Sequence, residues 1–329
     1  ATVSADIESL LAAGIPVKCG TPYILEEQAN GVAKIAAFYR TSGMQHFALS
    51  AEGHFRVHYN TTGIDTVDVT DLSGNGVPDY VDSALVYLEY AYDLIVDGLR
   101  FDPPLPDGDL GGGPETDVYL RNLSGVYGQT FSVLSMRDGN SSPAYFEVDN
   151  DFSESIYASN GLDALKVTTA HEFFHAVQFR LYCNLDLNWW QEHSAVWMED
   201  YVWDEVNDYF AYLKYFFTYQ NIASDGKIIW DARNMPLDSR NGTFEYGAAI
   251  WAFYLAKRFD PGIIKTIWDN QAAIGSHSIN DFEGSIPGGL MLELKCRDGW
   301  LGGYCRGIQN RFGRVSGEHS TDSLRARSR

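Results

Sequence analysis

In HFRVHYNTTG, residues 54 to 63, the apolar positions Phe55, Val57 and Tyr59 alternate with polar neighbours, the period of a half-buried strand. Between residues 82 and 99 the period changes. Leu85, Leu88, Tyr92 and Ile95 recur at three- and four-residue spacing, which predicts an amphipathic helix. DPPLPDGDLGGGPETD breaks both patterns and reads as a loop, after which DVYLRNL and PAYFEVDNDF predict strands. From residue 162 onward the spacing is helical, with segments expected at 162–182, 189–204, 205–220, 243–259 and 261–270. A short helix-like segment near the N-terminus precedes VKCGTPY. Strands first and helices later is an α+β order, and no internal repeat interrupts it.

Three regions follow from this layout. Residues 1–110 form an N-terminal region with an acidic loop, 111–290 are the expected catalytic region, and 291–329 form a basic tail rich in Arg, Gly and Ser without periodicity.

Length and composition narrow the functional classes. A chain of 329 residues can bury a large core, as one big domain or two ordinary ones. Its 45% hydrophobic and 14% aromatic content excludes a disordered protein. A net charge of −20 argues against nucleic acid, whose phosphates need a basic face, and against anionic lipid. No apolar run reaches the roughly 18 to 20 residues of a membrane span. The start, ATVSADIESLL, has neither Met nor a charged-then-apolar leader, and reads as a processed or truncated product of a secreted, extracellular or periplasmic protein. Cys19, Cys183, Cys296 and Cys305 allow two disulfides in three connectivities, with buried thiols at Cys19 and Cys183 as the favoured alternative.

The chemistry concentrates in TTAHEFFHAVQF. His171 and His175 stand one helical turn apart, so both imidazoles project from one face and can hold one ion. Glu172, about 100° further round, is placed to act as general base rather than ligand. Phe173, Phe174, Val177 and Phe179 make the remaining faces apolar, so the histidines are expected to be buried, where they are costly without a partner. H-E-x-x-H alone is a short signal, expected by chance about 0.01 times in such a chain. Catalytic zinc sites use a third protein ligand. LNWWQEHSAVWMEDYVW, downstream, offers Glu192 as the preferred one, with His193 and Glu199 as alternatives. A turn near Cys183–Asn184 would let this second helix pack back. Glu199, seven residues beyond Glu192 and on the same face, is then a candidate acceptor for a histidine N–H.

HEFFH followed by WWQEHSAVWMEDY resembles the gluzincin branch of the zincin metallopeptidases, whose aminopeptidases carry H-E-x-x-H and then W-x-x-E-G-F-A with a second Glu seven on. The match covers His171, Glu172, His175, Glu192, Ala195 and Glu199. His193 stands where those enzymes have Gly, the gap is two residues shorter, and their G-x-M-E-N segment is absent, which argues against exopeptidase activity. More widely, CGTP, FRVHY, DLSGNGVPDYVD, YGQTF, HEFFHAVQ, WWQEHSAVWMED and FEYGAAIWAFYL together are similar to a family of secreted bacterial zinc metalloproteases, over roughly residues 15 to 290. The resemblance implies a zincin-like α+β fold, a zinc cofactor and a peptide or protein substrate. FEYGA resembles the aminopeptidase segment Y-E-K-G-A, whose Tyr steadies an oxyanion. Phe244 takes that place here, so Tyr246 is the candidate, with a packed core tyrosine as the alternative.

DLSGNGVPDYVD places Asp71, Ser73, Asn75, Asp79 and Asp82 at positions 1, 3, 5, 9 and 12 of a calcium-type loop, with Gly76 at the sharp turn. A plain acidic turn is the alternative. Asp107 with Asp109, and Asp149 with Asp151, are weaker candidates for a second calcium, against solvated acidic loops.

The expected mechanism is hydrolysis of a peptide bond, with zinc on His171, His175 and Glu192 and with Glu172 as base. The strand PAYFEVDN is expected to form the sheet edge that receives an extended peptide. Two other readings stay open. One is an inactive zincin-fold binding or surface protein, its structural metal closed by a fourth ligand such as His193. The other is a hydrolase of non-peptide amides or esters.

Overall fold

A computed structural model describes residues 5–30, 44–133, 141–217, 220–222 and 228–274. Helix α1 (Ala5–Ala12), strand β1 (Val17–Cys19) and helix α2 (Thr21–Ala29) come first. Strands β2 (His46–Leu49) and β3 (Phe55–Tyr59), helix α3 (Asp79–Tyr92), and strands β4 (Thr116–Arg121), β5 (Val126–Ser132) and β6 (Ala144–Asp149) follow. Next come helices α4 (Gly161–Leu181), α5 (Asn188–Val202) and α6 (Leu213–Phe217), and the antiparallel pair β7 (Gln220–Ile222) and β8 (Ile228–Asp231). Helices α7 (Phe244–Ala248), α8 (Ile250–Arg258) and α9 (Ile263–Ile274) close the described chain.

The protein is α+β, built on one mixed six-stranded sheet in the order β1-β5-β6-β4-β3-β2. β3, β4 and β6 run parallel to one another, β2 and β5 run antiparallel to them, and β1 lies parallel to β5. Strands from either side of residue 110 thus share one sheet.

The alternation read at Phe55, Val57 and Tyr59 selects the face that meets the helices. Val118, Leu120, Phe146 and Val148 lie on that same face by register, and all join the core with Leu88 of α3 and Phe173 of α4. Phe55 meets Phe173 edge-on, with ring centroids 5.0 Å apart. Each such fully buried side chain contributes roughly 1.5–3 kcal/mol relative to exposure. The other face stacks Phe131 on Tyr145 and His58 on Tyr119.

From Val167 to Phe179 every residue of α4 is buried, polar ones included, because the helix is covered by the sheet and α3 on one side and by α5 and α9 on the other. It ends at Leu181, and the Asn184 side chain caps a short turn at Leu185–Leu187 before α5 packs back. That is the antiparallel return expected from the spacing of His175 and Glu192.

Three expectations are corrected. The strand in PAYFEVDNDF is not a sheet edge: β6 lies between β5 and β4, and all six of its residues are buried. The edge strand on that side is β1, which pairs with β5. The helix expected over 205–220 is broken into a turn at Asp208–Ala211 and the short α6. Val206, Asn207, Asp208 and Tyr209 are weak helix formers, and Asp208 is engaged elsewhere. The helix expected from residue 82 starts at Asp79, whose amide donates to Thr70 O.

Among the described residues no helix is long and apolar enough to cross a membrane. The basic tail 291–329, with Cys296 and Cys305, lies outside the described residues. Cys19 and Cys183 are both buried thiols, as the favoured alternative had it.

Candidate metal centre

One turn of α4 and one turn of α5 face each other, and that meeting fixes the site. His171 Nδ1 lies 2.6 Å from Glu199 Oε1, and His175 Nδ1 lies 2.8 Å from Gln178 Oε1. Both oxygens can only accept, so both rings donate from Nδ1 and turn an Nε2 lone pair inward. The two Nε2 atoms stand 3.0 Å apart. Glu192 adds its carboxylate, with Oε1 3.2 Å from His175 Nε2 and Oε2 3.4 Å from His171 Nε2.

A fourth donor comes from the far end of the sequence. Cys19 Sγ is 3.4 Å from His175 Nε2, and the donor atoms of Cys19, His171, His175 and Glu192 all lie within 4.8 Å of one another. Ligands held tetrahedrally at about 2.0–2.3 Å from one ion stand about 3.3–3.7 Å from each other. The spacings of 3.0, 3.2, 3.4 and 3.4 Å lie at or just below that range. Two imidazole Nε2 atoms facing each other, beside a carboxylate and a sulfur in a buried pocket, need a cation or a shared proton between them. The N, S and carboxylate donor set suits zinc.

The partners of the histidines are themselves held. Gln178 Nε2 lies 3.1 Å from both Gln191 O and Ser194 Oγ, and Trp268 Nε1 donates to Ser194 Oγ at 3.2 Å. Glu199 Oε2 lies 2.9 Å from Lys18 Nζ, which also pairs with Asp208. Ser159 Oγ donates to Asp208 at 2.6 Å and Tyr127 OH at 3.3 Å. Burial alone would depress His171, but Glu192 and Glu199 outweigh it and lift the ring to about 10 in the absence of a cation. Glu192 is held well below the usual carboxylate range by the two histidines, against the opposing effect of burial.

Glu172 points from α4 toward β5. Its Oε2 lies 2.7 Å from Thr130 Oγ1 and 3.3 Å from Thr21 Oγ1, while Oε1 is buried with no hydrogen-bond partner among the described residues. Burial raises its proton affinity. The close approach depends on Gly128, opposite Glu172 on β5. A Cβ there would stand 2.7 Å from both Glu172 Cγ and Thr168 Cγ2. Gly128→Ala is therefore expected to push α4 off the strand, costing about 1–3 kcal/mol in a thermal or denaturant melt. An unchanged melting midpoint would contradict that packing.

Tyr246 is fully buried on α7, and its hydroxyl donates to Cys19 O at 3.3 Å. It therefore faces the site. His193 does not join the donors: it is buried against Trp189, and neither ring nitrogen has a partner among the described residues. Burial pushes it down to about 3, so it is neutral.

In the acidic loop, Asp71 accepts from the amides of Gly74 and Gly76 and from Ser73 Oγ, Asp79 from Leu72 N, and Asp82 from Asn75 Nδ2. The carboxylates of Asp71, Asp79 and Asp82 do not converge to within 4.8 Å of one another, unlike Asp149, Asp151 and Glu154. Asp149 is buried and accepts from the amides of Leu123, Asp151 and Phe152; burial lifts it to about 6. Asp107 and Asp109 form no such cluster among the described residues.

α5 carries one more displaced carboxyl. Burial, then repulsion from Asp204 and Glu199, pushes Asp200 up to about 7. It stays protonated in the fold where the unfolded chain would ionise it, so its contribution is present below about pH 4 and is lost as pH rises toward 7. Asp200→Asn is expected to flatten that part of a plot of Tm against pH. An unaltered slope would contradict it.

No known protein-family model matches the chain, and no curated protein is similar enough to it to stand as a relative. Cys19, Lys18, Gln178 and Asp208 escaped the sequence reading. Only Gln178 had a local signal, three residues after His175 on the same helix face.

Proposed function

We propose that the protein is a zinc-dependent peptidase of zincin type, an exported endopeptidase. The observation that supports this best is the convergence of His171 Nε2, His175 Nε2 and the Glu192 carboxylate, with Glu172 beside them carrying a bare oxygen. Zinc bound there would polarise the scissile carbonyl and acidify the attacking water.

The chain's own groups supply the rest. Glu172 Oε1 accepts the water's proton and passes it to the leaving amine, while Thr130 holds the other oxygen in place. Glu199 and Gln178 keep both imidazoles in the tautomer that presents Nε2. Tyr246 offers a hydroxyl to the carbonyl oxygen as charge builds on it. β5, antiparallel to its neighbour β6 and packed on α4, would receive an extended peptide on the side that β1 now occupies.

A second reading has its own observation. Four protein donors, with Cys19 as the fourth, are the mark of a structural zinc site. The deciding assay is cleavage of internally quenched, end-blocked peptides by the zinc-loaded chain, wild type and Cys19→Ser, with and without chelator. Cleavage that the chelator abolishes is expected in at least the Cys19→Ser chain. Zinc-loaded chains that cut nothing would contradict the peptidase.

A further inference from the structure

The segment that carries Cys19 meets more than the metal donors. β1 lies along β5, flanked by Val17 N donating to Gly125 O at 3.0 Å and Gly20 N donating to Gly128 O at 2.8 Å. With β1 displaced, that side of β5 is where an extended peptide would add to the sheet. By register Cys19 pairs with Gly128, the residue packed on Glu172, and so projects toward α4. Its carbonyl accepts from Tyr246, its sulfur stands at the fourth corner of the donor set, and it also accepts from Thr21 N at 3.4 Å. The Thr21 hydroxyl, two residues on, reaches Glu172. Lys18, in the middle of β1, is tied to Glu199 and Asp208.

A purely structural ligand needs only the sulfur contact. Here five consecutive residues touch the sheet edge, the metal donors, the oxyanion donor and the base together. Those are the contacts of a bound peptide.

We propose that Cys19 is the fourth metal ligand and that residues 17–21 fill the peptide-binding cleft as a built-in inhibitor, so that the chain is latent until the thiolate is displaced. The inhibitory half rests on the peptidase reading; sulfur ligation does not. Ligation takes the thiolate form, so loading releases the Cys19 proton to solvent, and displacement of the sulfur opens the fourth place to water.

The test uses the full chain, loaded with cobalt for spectroscopy and with zinc for hydrolysis, wild type beside Cys19→Ser. Wild type is expected to show a sulfur-to-cobalt charge-transfer band and little cleavage of quenched peptides. Cys19→Ser is expected to lose the band, keep its metal through the remaining three ligands, and cleave at least about tenfold faster. A wild type without the band overturns Cys19 as ligand, whatever the chain hydrolyses. A wild type as active as Cys19→Ser overturns latency alone. Loss of the band with both chains inert overturns latency together with the peptidase reading, and leaves a four-ligand structural centre. Should Cys19→Ser fail to fold, alkylation of the wild type decides. Iodoacetamide forms a sulfur–carbon bond at Cys19, releasing iodide and the thiol proton. Zinc is expected to slow that reaction at least about tenfold, read by mass spectrometry of the Cys19 peptide. Equal rates with and without zinc overturn the ligation.

Discussion

Glu172→Gln is expected to keep the metal and lower peptide cleavage by about 10²–10⁴-fold, the range a positioned general base supplies. Gln has nearly the same shape, so the close packing on Gly128 survives, and its carbonyl oxygen can still accept from Thr130. What it lacks is the basic oxygen. Glu172 Oε1 is bare and buried, and burial raises its proton affinity, both of which favour proton abstraction. The ratio is best measured on a chain that also carries Cys19→Ser, so that sulfur displacement does not limit the rate. Undiminished turnover in the double variant would sink the mechanism while leaving the metal centre intact.

The second large effect is on stability. Lys18→Met is expected to destabilise the fold by about 3–5 kcal/mol, the cost of leaving buried charges without their partner. Lys18 is almost wholly inaccessible, and its ammonium neutralises two buried carboxylates, Glu199 and Asp208. Burial opposes its charge, but the two anions outweigh that and raise its proton affinity, so it stays charged. For a chain of this size the loss corresponds to roughly 5–10 °C in Tm. Adding Asp208→Asn is expected to recover part of it, because one orphaned charge is then gone. A Lys18→Met protein that melts with wild type would show that the triad contributes nothing.

Legibility followed signal length. The twenty-one residues of α4 form one uninterrupted segment without Pro that carries both histidines and the base, so helix and site could be read together. The return of α5 followed from the spacing of His175 and Glu192, and the contact of Glu199 with His171 from its place seven residues after Glu192. β1 has only three residues, too few for any period to declare itself, and β5 mixes Gly128 with four hydroxyl- or amide-bearing side chains. Those two strands set the edge of the sheet, so the edge was assigned to β6 instead. Cys19 reaches His175 across 156 positions through that same short strand. Lys18 and Asp208 are 190 positions apart. Pairings of this kind arise from the closed fold and leave no mark on local sequence.

The most direct measurement is metal content by mass spectrometry on purified full-length protein, wild type beside His175→Ala. About one zinc per wild-type chain, lost from the variant, is the expected result. A folded wild type that carries no zinc and takes up none when it is added would contradict the metal centre, and with it the proposed function.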